Sequence, residues 1–278
     1  MKIKLIADSS CDLPVEFIKE NNITLVPLTM MVNGINYLDD SKLNLDEYLK
    51  VMKSSKEYPK TACPTPNQFL EAYGKDYDAV FVVTLTSKLS GTYNSAMVAK
   101  QMFEETNKKT LVHVFDSKSA VSAEALIMYK LVELVKQGLQ PKVIIEKVEK
   151  MINEVTTLFL LESIDNLVKN GRIKPLLAKV ISAFSIKPIL GTDNGEIKLV
   201  HRVIGYERAF NKLVEAIGEK TTDFKDKILI IAHANNLERA KKFYDEVVKR
   251  YNFKEIIITK MKGLSSTYAD VNGIVIAF

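Results

Sequence analysis

Short apolar runs alternate with longer polar-faced segments through the first half of the chain. Each run has the length of a strand, and several of the segments between the runs open with residues that cap helices. The strand-like runs cover residues 2–8, 23–32, 79–86 and 111–117. Strands separated by helices favour parallel pairing in a layered domain. We therefore predict an N-terminal α/β domain over residues 1–154 with a mainly parallel sheet.

Polar residues indicate where three of these helices begin. Asp12 precedes a leucine–proline pair, the order expected of an N-cap with proline in the first turn. Asn44 is followed three residues later by Glu47, which is the spacing of a capping box. Thr65 and Gln68 have the same spacing. We expect a helix to begin directly after Asp12, Asn44 and Thr65.

The pattern of the chain changes after about residue 155. A helix signal ends at Asn170-Gly171, and Asn194-Gly195 is a hairpin turn signal that follows a long apolar stretch at 176–190. A long amphipathic helix is predicted over 206–220. Three further apolar runs cover residues 227–234, 255–263 and 273–278. This mixture predicts a C-terminal α+β domain over residues 155–278.

Charge and cysteine content narrow the class of protein. The 39 basic and 34 acidic residues are interleaved and give a net charge of only +5, which argues against a nucleic acid partner. Cys11 and Cys63 match no metal or redox spacing, so we expect free thiols in a reducing compartment.

The apolar runs are all too short for a membrane span. The N-terminal run meets an aspartate after a few residues and is read as a strand and not as a signal peptide. No apolar stretch approaches the roughly 20 residues that a spanning helix needs. We expect a cytoplasmic protein that does not span a membrane, while transient contact with a membrane surface stays open.

Hydroxyl residues and a glycine follow one of the predicted strands. The segment 84–96 reads TLTSKLSGTYNSA, so a strand ends in hydroxyls and a helix begins after Ser90-Gly91. Free backbone N–H groups at a helix N-terminus attract anions, and Ser87, Ser90 and Thr92 can add hydroxyl donors. Plain N-capping by Ser90 is the alternative interpretation.

Two other segments could supply polar groups to the same site. Residues 61–66 contain two threonines that precede a predicted helix, and prolines stiffen the loop. Arg172 follows the glycine at the end of another helix and could turn its donor fork towards a carboxylate. Taken alone, residues 61–66 have an ordinary interpretation as a structural loop, and Arg172 has one as a surface arginine.

The usual enzyme signatures are missing from the sequence. It contains no G-x-G-x-x-G, no G-x-x-x-x-G-K-[ST], no G-x-S-x-G and no H-E-x-x-H motif. The three histidines, His113, His201 and His233, lie in apolar or hairpin contexts where packing or exposure is the expected role. An enzyme hypothesis is therefore less favoured than a binding protein.

Six segments together resemble the DegV family in order and spacing, and the match spans nearly the whole chain. They are DSSCDLP (8–14), TACPTP (61–66), LSGTYNSA (89–96), DSKS (116–119), LESIDNLVKNGRI (161–173) and IKPIL (186–190). The resemblance implies the two domains described above with a long apolar tunnel between them. It also implies that the protein is a carrier and not an enzyme, with one long-chain fatty acid as its ligand and no other cofactor.

The resemblance implies roles for particular residues. Thr61 and Ser90 would hydrogen-bond the carboxylate of the fatty acid, and Arg172 would lie near this head group. Gly91 and Thr92 belong to the same candidate site because they open the helix that follows Ser90.

The resemblance also implies a protein partner. Family members that work with a fatty acid kinase offer the carboxylate to its ATP-binding subunit for phosphorylation. Arg202, just after the predicted hairpin, matches a family position on the surface that faces the kinase.

The C-terminus departs from the family pattern. Family members have a histidine followed by a glycine-proline-glycine turn, where this chain has Tyr268 and then Asp-Val-Asn at 270–272. Ala62 replaces a family serine. Tyr268 can still donate a hydrogen bond through its hydroxyl, so we include it in the ligand site.

Two other functions stay open at this point. One is an interaction protein that has lost its ligand through the C-terminal changes. The other is an enzyme acting on a small anion, with Ser90 as nucleophile or with Asp8 and Asp116 as acid and base.

Overall fold

The computed structural model of the chain describes residues 1–181 and 186–278. The strands of the first half are β1 (Ile3–Asp8), β2 (Ile23–Val26), β3 (Thr29–Val32), β4 (Ile35–Leu38), β5 (Lys60–Ala62), β6 (Ala79–Thr84) and β7 (Leu111–Asp116). Its helices are α1 (Val15–Glu20), α2 (Leu45–Ser54), α3 (Pro66–Tyr73), α4 (Thr92–Thr106), α5 (Ser122–Lys136) and α6 (Pro141–Glu154), with a 3₁₀ turn at Ser9–Cys11. The predicted alternation of strands and helices is confirmed.

Four of these strands form a parallel sheet in the order β2-β1-β6-β7. The strand β6 lies inside the sheet and all six of its residues are buried. Apolar clusters cover both faces of the sheet, which is why its central strand reads as a continuous apolar run. The predicted parallel sheet of the N-terminal half is confirmed.

The apolar run at 23–32 is two strands and not the single strand that the pattern predicts. The strand β2 joins the parallel sheet, whereas β3 pairs antiparallel with β4 and β5 in a separate sheet. Pro27 lies at the break, and a proline has no N–H to donate to a continuing ladder. The separate sheet matters for the site because β5 contains Thr61.

The prediction of an N-cap at Asp12 is wrong. The helix α1 begins after Pro14 without a side-chain cap. Asp12 instead adopts a left-handed conformation with φ 45°, and its Oδ1 accepts a hydrogen bond of 2.7 Å from the backbone N–H of Lys262. The Asp12 carboxylate therefore joins the two halves of the chain, although the local spacing predicted that it caps a helix.

The other two predicted helix starts are confirmed. Asn44 caps α2 by accepting a hydrogen bond of 3.2 Å from the N–H of Glu47. Thr65 and Gln68 form a complete capping box at the start of α3. The loop before α3, which contains Thr61, is thereby fixed at its C-terminal end.

The second half forms one mixed sheet with helices against it. Its strands are β8 (Thr157–Leu160), β9 (Ile186–Asp193), β10 (Glu196–Ile204), β11 (Ile228–His233), β12 (Glu255–Lys260) and β13 (Ile274–Ala277). Its helices are α7 (Asp165–Lys169), α8 (Pro175–Ile181), α9 (Tyr206–Lys220), α10 (Leu237–Val248) and α11 (Gly263–Ala269). The sheet order is β10-β9-β8-β13-β11-β12. Part of the apolar stretch at 176–190, residues 182–185, lies outside the described residues.

The hairpin and the long helix of the second half are confirmed. Asp193 pairs with Glu196 across the two-residue turn at Asn194-Gly195. The helix α9 covers the predicted range, 206–220. The C-terminal half is therefore the mixture of strands and helices that the pattern predicts.

The two halves share an apolar core around α5. Buried residues of α5 pack in one cluster with Phe81 of the parallel sheet and with Ile230 and Ala277 of the mixed sheet. Ser122, at the start of α5, donates a hydrogen bond of 2.7 Å to the carbonyl of Val275. The domain boundary at 154/155 falls between α6 and β8 and stays a prediction. None of the helices in the described ranges is long and apolar enough to cross a membrane.

Candidate ligand site

A cavity with a mainly apolar wall lies where the two halves meet. It contains ≈ 810 Å³ of empty space, counted with its opening to solvent. The apolar part of the wall includes Leu85, Val121, Phe159, Leu167, Ile197 and Val275. The strands β8, β9, β10 and β13 of the mixed sheet supply one side of this wall, and loops of the parallel sheet supply the other.

The alternation of a strand explains why β8 faces the cavity. Thr157, Phe159 and the following Leu161 line the cavity, whereas Leu158 and Leu160 lie in the apolar core on the opposite face. Successive side chains of a strand point to opposite faces of its sheet. One short strand therefore contributes residues both to the apolar core and to the wall of the cavity.

The tip of the β9–β10 hairpin packs against the loop after β6. A Cβ atom on Gly195 would clash with the Thr86 Oγ1 atom, and Gly195 has a φ of 88°. Only glycine allows this close approach and this backbone conformation together. The contact holds the hairpin against the loop that leads to Ser90, and both Ile197 and Ser90 line the cavity.

Four of the predicted site residues lie around one polar region of the cavity wall. They are Thr61, Ser90, Arg172 and Tyr268, which come from β5, the loop before α4, the turn after α7 and α11. The Thr61 Oγ1 and Tyr268 Oη atoms are 2.7 Å apart and form a hydrogen bond. The Arg172 guanidinium lies 5.8 Å from the centre of the Tyr268 ring. Residues that are distant in the sequence thus converge on one place.

Ser90 has both of the roles that its sequence context suggests. It lines the cavity, and its Oγ atom accepts a hydrogen bond of 3.3 Å from the N–H of Thr92, the first residue of α4. The Oγ atoms of Ser90 and Thr92 are 2.8 Å apart. Local bonding and exposure to the cavity are compatible because a hydroxyl can donate one hydrogen bond and accept two.

The other two residues of the predicted helix start, Gly91 and Thr92, are not part of the described cavity wall. Thr92 is fully buried beneath Ser90, and Gly91 is exposed. A Cβ atom on Gly91 would lie 3.1 Å from the Cys63 Sγ atom, so glycine lets the 61–66 loop approach α4 closely. Thr92 bonds to Ser90, and Gly91 lies against the 61–66 loop, so both residues support the site without lining the cavity.

Arg172 is held in place by backbone groups. The turn after α7 has Gly171 in a left-handed conformation, with φ 72°, and the N–H of Arg172 donates to the Leu167 carbonyl at 2.8 Å. The Arg172 Nε atom donates to the carbonyl of Leu89, and its Nη1 atom donates to that of Asn170. The guanidinium is therefore fixed beside the cavity with donor capacity left for an anion.

A buried carboxylate that sequence reasoning missed positions α11. The Asp39 side chain accepts hydrogen bonds from the N–H groups of Gly263 at 2.8 Å and Leu264 at 3.1 Å, which open this helix. The Tyr48 and Thr267 hydroxyls are 2.6 Å apart near the other end of α11. These contacts fix the helix that contributes Tyr268. No local sequence signal connects Asp39 with a helix more than two hundred residues later.

Three more buried carboxyl groups, those of Asp8, Asp12 and Glu124, lie behind this part of the wall. Burial raises the pKa of Asp8 to about 6 and that of Asp12 to about 8, and it raises the pKa of Glu124 well above its ordinary value. Asp8 accepts hydrogen bonds from the N–H groups of Ser10 and Leu85. The three groups have structural bonding: Asp8 and Glu124 join segments of the first half, and Asp12 joins the two halves through Lys262.

The arrangement does not assemble the catalytic groups of the enzyme hypothesis. Ser90 pairs with the Thr92 hydroxyl, and the Asp116 carboxylate accepts hydrogen bonds from the backbone of Ser87 and Lys118. Each histidine contacts another group: His113 contacts Glu149, His201 contacts Glu219 and His233 contacts the N–H of Asn236. Among the described residues, no group of side chains has the composition of a metal site.

The departure from the family turn at 270–272 coincides with unusual backbone angles. Asp270 has φ 55° and ψ 170°, and Asn272 has φ 79°. Glycine adopts such angles without steric cost, whereas other residues are strained there. The Asn236 side chain and Arg239 hold Asn272 through hydrogen bonds of 2.7 and 3.2 Å. Tertiary contacts thus maintain the turn without the glycines.

Arg202 is not one of the residues that form this polar region. It lies on the edge strand β10, where it pairs with Pro188, and its side chain is exposed. It does not line the described cavity. Its position is that of a surface residue on the mixed sheet.

Known proteins resemble the chain over its full length. The family model described as uncharacterised proteins of the DegV family matches residues 2–278. A DegV domain-containing protein of Streptococcus gordonii is 31% identical over 281 residues, which cover 100% of this chain and 99% of that protein.

Solved structures of the family have the same fold. A DegV family protein from Ruminococcus gnavus, refined with vaccenic acid, is 34% identical with a TM-score of 0.94, covering 99% of both chains. The Fatty Acid Kinase (Fak) B3 protein of Streptococcus pneumoniae, loaded with linoleic acid, is 30% identical with a TM-score of 0.90, covering 100% of this chain and 99% of that one. The sequence resemblance, the α/β architecture and the full-length matches agree, and the chain belongs to the DegV family.

Proposed function

We propose that this protein binds one long-chain fatty acid in the cavity between its two halves. The observation that carries the proposal is the combination of a long apolar wall with one polar region formed by Thr61, Ser90, Arg172 and Tyr268. An apolar wall favours a hydrocarbon chain, and hydroxyl and guanidinium donors favour a carboxylate. Two similar proteins hold vaccenic and linoleic acid in their solved structures, which supports the same ligand class here.

In this proposal the head group displaces the hydrogen bond between Thr61 and Tyr268, so that each hydroxyl can donate to the carboxylate. A carboxylate accepts up to four hydrogen bonds, so it can accept from both hydroxyls, from Ser90 and from Arg172. Thr92 and Gly91 support Ser90 without contacting the ligand. The fatty acid is the only small molecule that the proposal requires.

We further propose that the protein presents the carboxylate to the ATP-binding subunit of a fatty acid kinase in the cytoplasm. The likeness to the Fak B3 protein supports this partner. Phosphoryl transfer depends on the position of the acceptor, so a rigid polar region at the cavity is what such a carrier needs. Exposed Arg202 on β10 is the candidate contact for the kinase. Arg202→Ala should spare fatty acid binding and reduce acyl phosphate formation with the kinase, and a loss of fatty acid binding would place Arg202 wrongly.

Mass spectrometry of organic extracts from the purified protein tests the proposed ligand directly. We expect one acyl species per protein molecule, because an acyl chain buried against an apolar wall survives purification. Delipidated protein should also be stabilised against heat by added palmitate or oleate. Extracts without any acyl species, together with no thermal shift, would overturn the proposal and favour an interaction protein without a ligand.

A further inference from the structure

One short polar segment joins the three stretches of chain that supply the polar region of the cavity. It consists of Asn166, Asn170 and Arg172, on α7 and the turn after it, and we call it the α7 bridge. The two asparagines are partly buried, and neither lines the described cavity. They are four residues apart and therefore lie on the same side of the helix. This side faces the segments that contain Thr61 and Tyr268.

Asn166 connects α7 with α11. Its side-chain amide donates a hydrogen bond of 2.7 Å to the carbonyl of Thr267, and the next residue is Tyr268. Because the partner is a carbonyl oxygen, only the NH₂ group of the amide can make this contact. The bond holds the backbone that carries the Tyr268 hydroxyl.

Asn170 connects α7 with the segment that contains Thr61. Its amide donates hydrogen bonds of 2.9 Å to the carbonyl of Pro59 and to the carbonyl of Asn166. Both N–H groups of the amide are thereby used, and the second bond ties Asn170 to the helix itself. Pro59 is buried and directly precedes β5, so Asn170 fixes the point at which the chain enters the strand of Thr61.

Arg172 completes the α7 bridge, because its Nε atom donates a hydrogen bond of 3.2 Å to the carbonyl of Leu89, the residue before Ser90. The three segments thus meet at one support. Thr61 and Tyr268 also contact each other directly, but the carboxylate displaces that bond in the proposed complex. The two asparagine contacts do not involve the ligand, so they continue to join the segments when the ligand is bound.

We propose that Asn166 and Asn170 are positioning residues that set the spacing of the hydroxyl donors around the carboxylate of the ligand. This inference rests on the proposed fatty acid function. Asn166 acts through the Tyr268 hydroxyl, and Asn170 acts through the Thr61 hydroxyl. The two asparagines therefore matter for a ligand that has a carboxylate and not for an equally long chain that lacks one. A purely structural role would change the affinity for both ligands alike.

The test compares oleic acid with oleyl alcohol, which has the same chain and no carboxylate. The affinities of both ligands for the delipidated full-length protein are measured for the natural sequence, for Asn166→Leu and for Asn170→Leu. Leucine has nearly the shape of asparagine and is uncharged, so it removes the donors without repelling a carboxylate. We expect the ratio of acid affinity to alcohol affinity to fall about tenfold in each variant, as expected for one weakened hydrogen bond to a charged group. The affinity for oleyl alcohol should be unchanged.

Asn21→Leu is a matched control for these substitutions. The Asn21 amide donates a hydrogen bond of 2.8 Å to the carbonyl of Phe17 at the end of α1, and Asn21 does not line the described cavity. The control should lower the thermal stability as the other two variants do, because each substitution removes a bond of the same kind. Its ratio of affinities should equal that of the natural sequence.

Double-mutant cycles show through which hydroxyl each asparagine acts. Asn170→Leu should have no further effect on the ratio once Thr61→Val has removed the Thr61 hydroxyl, whereas it should keep its effect in Tyr268→Phe. Asn166→Leu should show the reverse dependence. The affinity for oleyl alcohol shows in every variant that the cavity is intact, so a loss of folding cannot imitate these results.

The outcomes distinguish the positioning role from the proposed function. An unchanged ratio in both asparagine variants, an equal loss in Asn21→Leu, or effects that do not depend on the Thr61 and Tyr268 hydroxyls would overturn the positioning role. Equal affinity of the natural sequence for acid and alcohol would also overturn it, while binding of an acyl chain would stand. If the natural sequence binds neither ligand, the proposed function has failed and the positioning role falls with it.

Discussion

The apolar wall and the polar region of the cavity are built in different ways. The wall comes from strands such as β8, in which alternate residues such as Phe159 and Leu161 face the cavity by the ordinary geometry of a sheet. The polar region comes from separate segments, so that Thr61 and Tyr268 meet across 207 positions of sequence. The wall follows from the alternation of a strand, whereas each polar residue depends on its own supporting contacts.

The two regions should also contribute differently to function. Burying a methylene group contributes about 0.8 kcal/mol, so a tail of about 14 methylenes contributes roughly 11 kcal/mol before the costs of association. One hydrogen bond to a charged group contributes about 1.5–3 kcal/mol. We therefore expect the wall to determine affinity and the polar region to determine the orientation of the carboxylate.

The largest effect should follow from reducing the volume of the cavity. Ile197 lines the cavity from β10, and Ile197→Trp would exclude about three or four methylenes of the ligand. At about 0.8 kcal/mol for each methylene, fatty acid affinity should fall by about 100-fold. Titration of delipidated protein with a fluorescent fatty acid measures the change.

The neighbouring residue provides a matched control for this substitution. Lys198 lies on the same strand, but its side chain points to the opposite face and is exposed. Lys198→Trp should leave affinity unchanged. Equal losses in the two variants would mean that a tryptophan disturbs the hairpin, and equal affinity in all three proteins would mean that the ligand lies elsewhere.

The second prediction removes the support of the polar region and leaves the wall intact. Asp39→Ala leaves the N–H groups of Gly263 and Leu264 buried without an acceptor, which should lower the free energy of unfolding by about 2–3 kcal/mol. Asp39→Asn keeps one acceptor oxygen and should lose less. Urea denaturation of the three proteins gives the values.

Fatty acid binding by the same variants compares the polar region with the apolar wall. At temperatures where Asp39→Ala stays folded, α11 should be less well positioned, and the carboxylate should lose the hydroxyl of Tyr268. Affinity should then fall by less than in Ile197→Trp. If stability is unchanged in Asp39→Ala, the carboxylate does not support α11 as its contacts suggest.

The same contrast explains what could be predicted from the sequence. Strand and helix periods, the Asn194-Gly195 turn and the Asn44 and Thr65 caps are local, so the parallel sheet, the hairpin and the starts of α2 and α3 followed from them. The role of Asp39 and the true partner of Asp12 depend on contacts with residues 262–264, which no local pattern records. Pro27 was a local signal for the break between β2 and β3, but the apolar residues on both sides of it concealed the break.

Pattern alone left the polar residues ambiguous, and the resemblance combined them into one site. Thr61, Ser90 and Arg172 each have an ordinary structural interpretation in the sequence, and only their combination in the family motifs indicated a site. Thr92 and Gly91 came from the same motif, yet they lie behind the wall, because a helix that begins beside a cavity directs only some of its first residues into it.

The third prediction concerns one hydroxyl of the polar region. Ser90→Ala removes a proposed donor to the carboxylate, so fatty acid affinity should fall by about tenfold while other donors hold the head group. The fold should be retained. If affinity is unchanged but the free energy of unfolding falls by about 1 kcal/mol, Ser90 serves only the start of α4. Ser119→Ala provides a control, because its hydroxyl pairs with Thr157 in the wall.

The smallest change in affinity should come from Tyr268→His, which introduces the histidine that the family pattern has at this position. Most of the binding free energy lies in the buried tail, and an imidazole can replace the tyrosine hydroxyl as a donor to the carboxylate. Affinity should therefore change by no more than about threefold, which is less than one hydrogen bond to a charged group. The rate of acyl phosphate formation with a fatty acid kinase should rise more than the affinity does.

The rate should change more than the affinity because phosphoryl transfer depends on the orientation of the carboxylate and on the charge that develops on it. Fatty acid binding depends mainly on the buried tail. A histidine at position 268 would be shorter than the tyrosine that now reaches the Thr61 hydroxyl at 2.7 Å, so it would leave the Thr61 hydroxyl to the ligand. Its imidazole can also interact with charge that develops on the carboxylate during transfer. Single-turnover measurements with the kinase, and titrations of the same two proteins with fatty acid, report the two quantities independently. Equal turnover would mean that Tyr268 already performs this role. If neither protein supports turnover, the strained turn at 270–272 becomes the next position to restore, because Asp270 holds backbone angles that glycine adopts more readily.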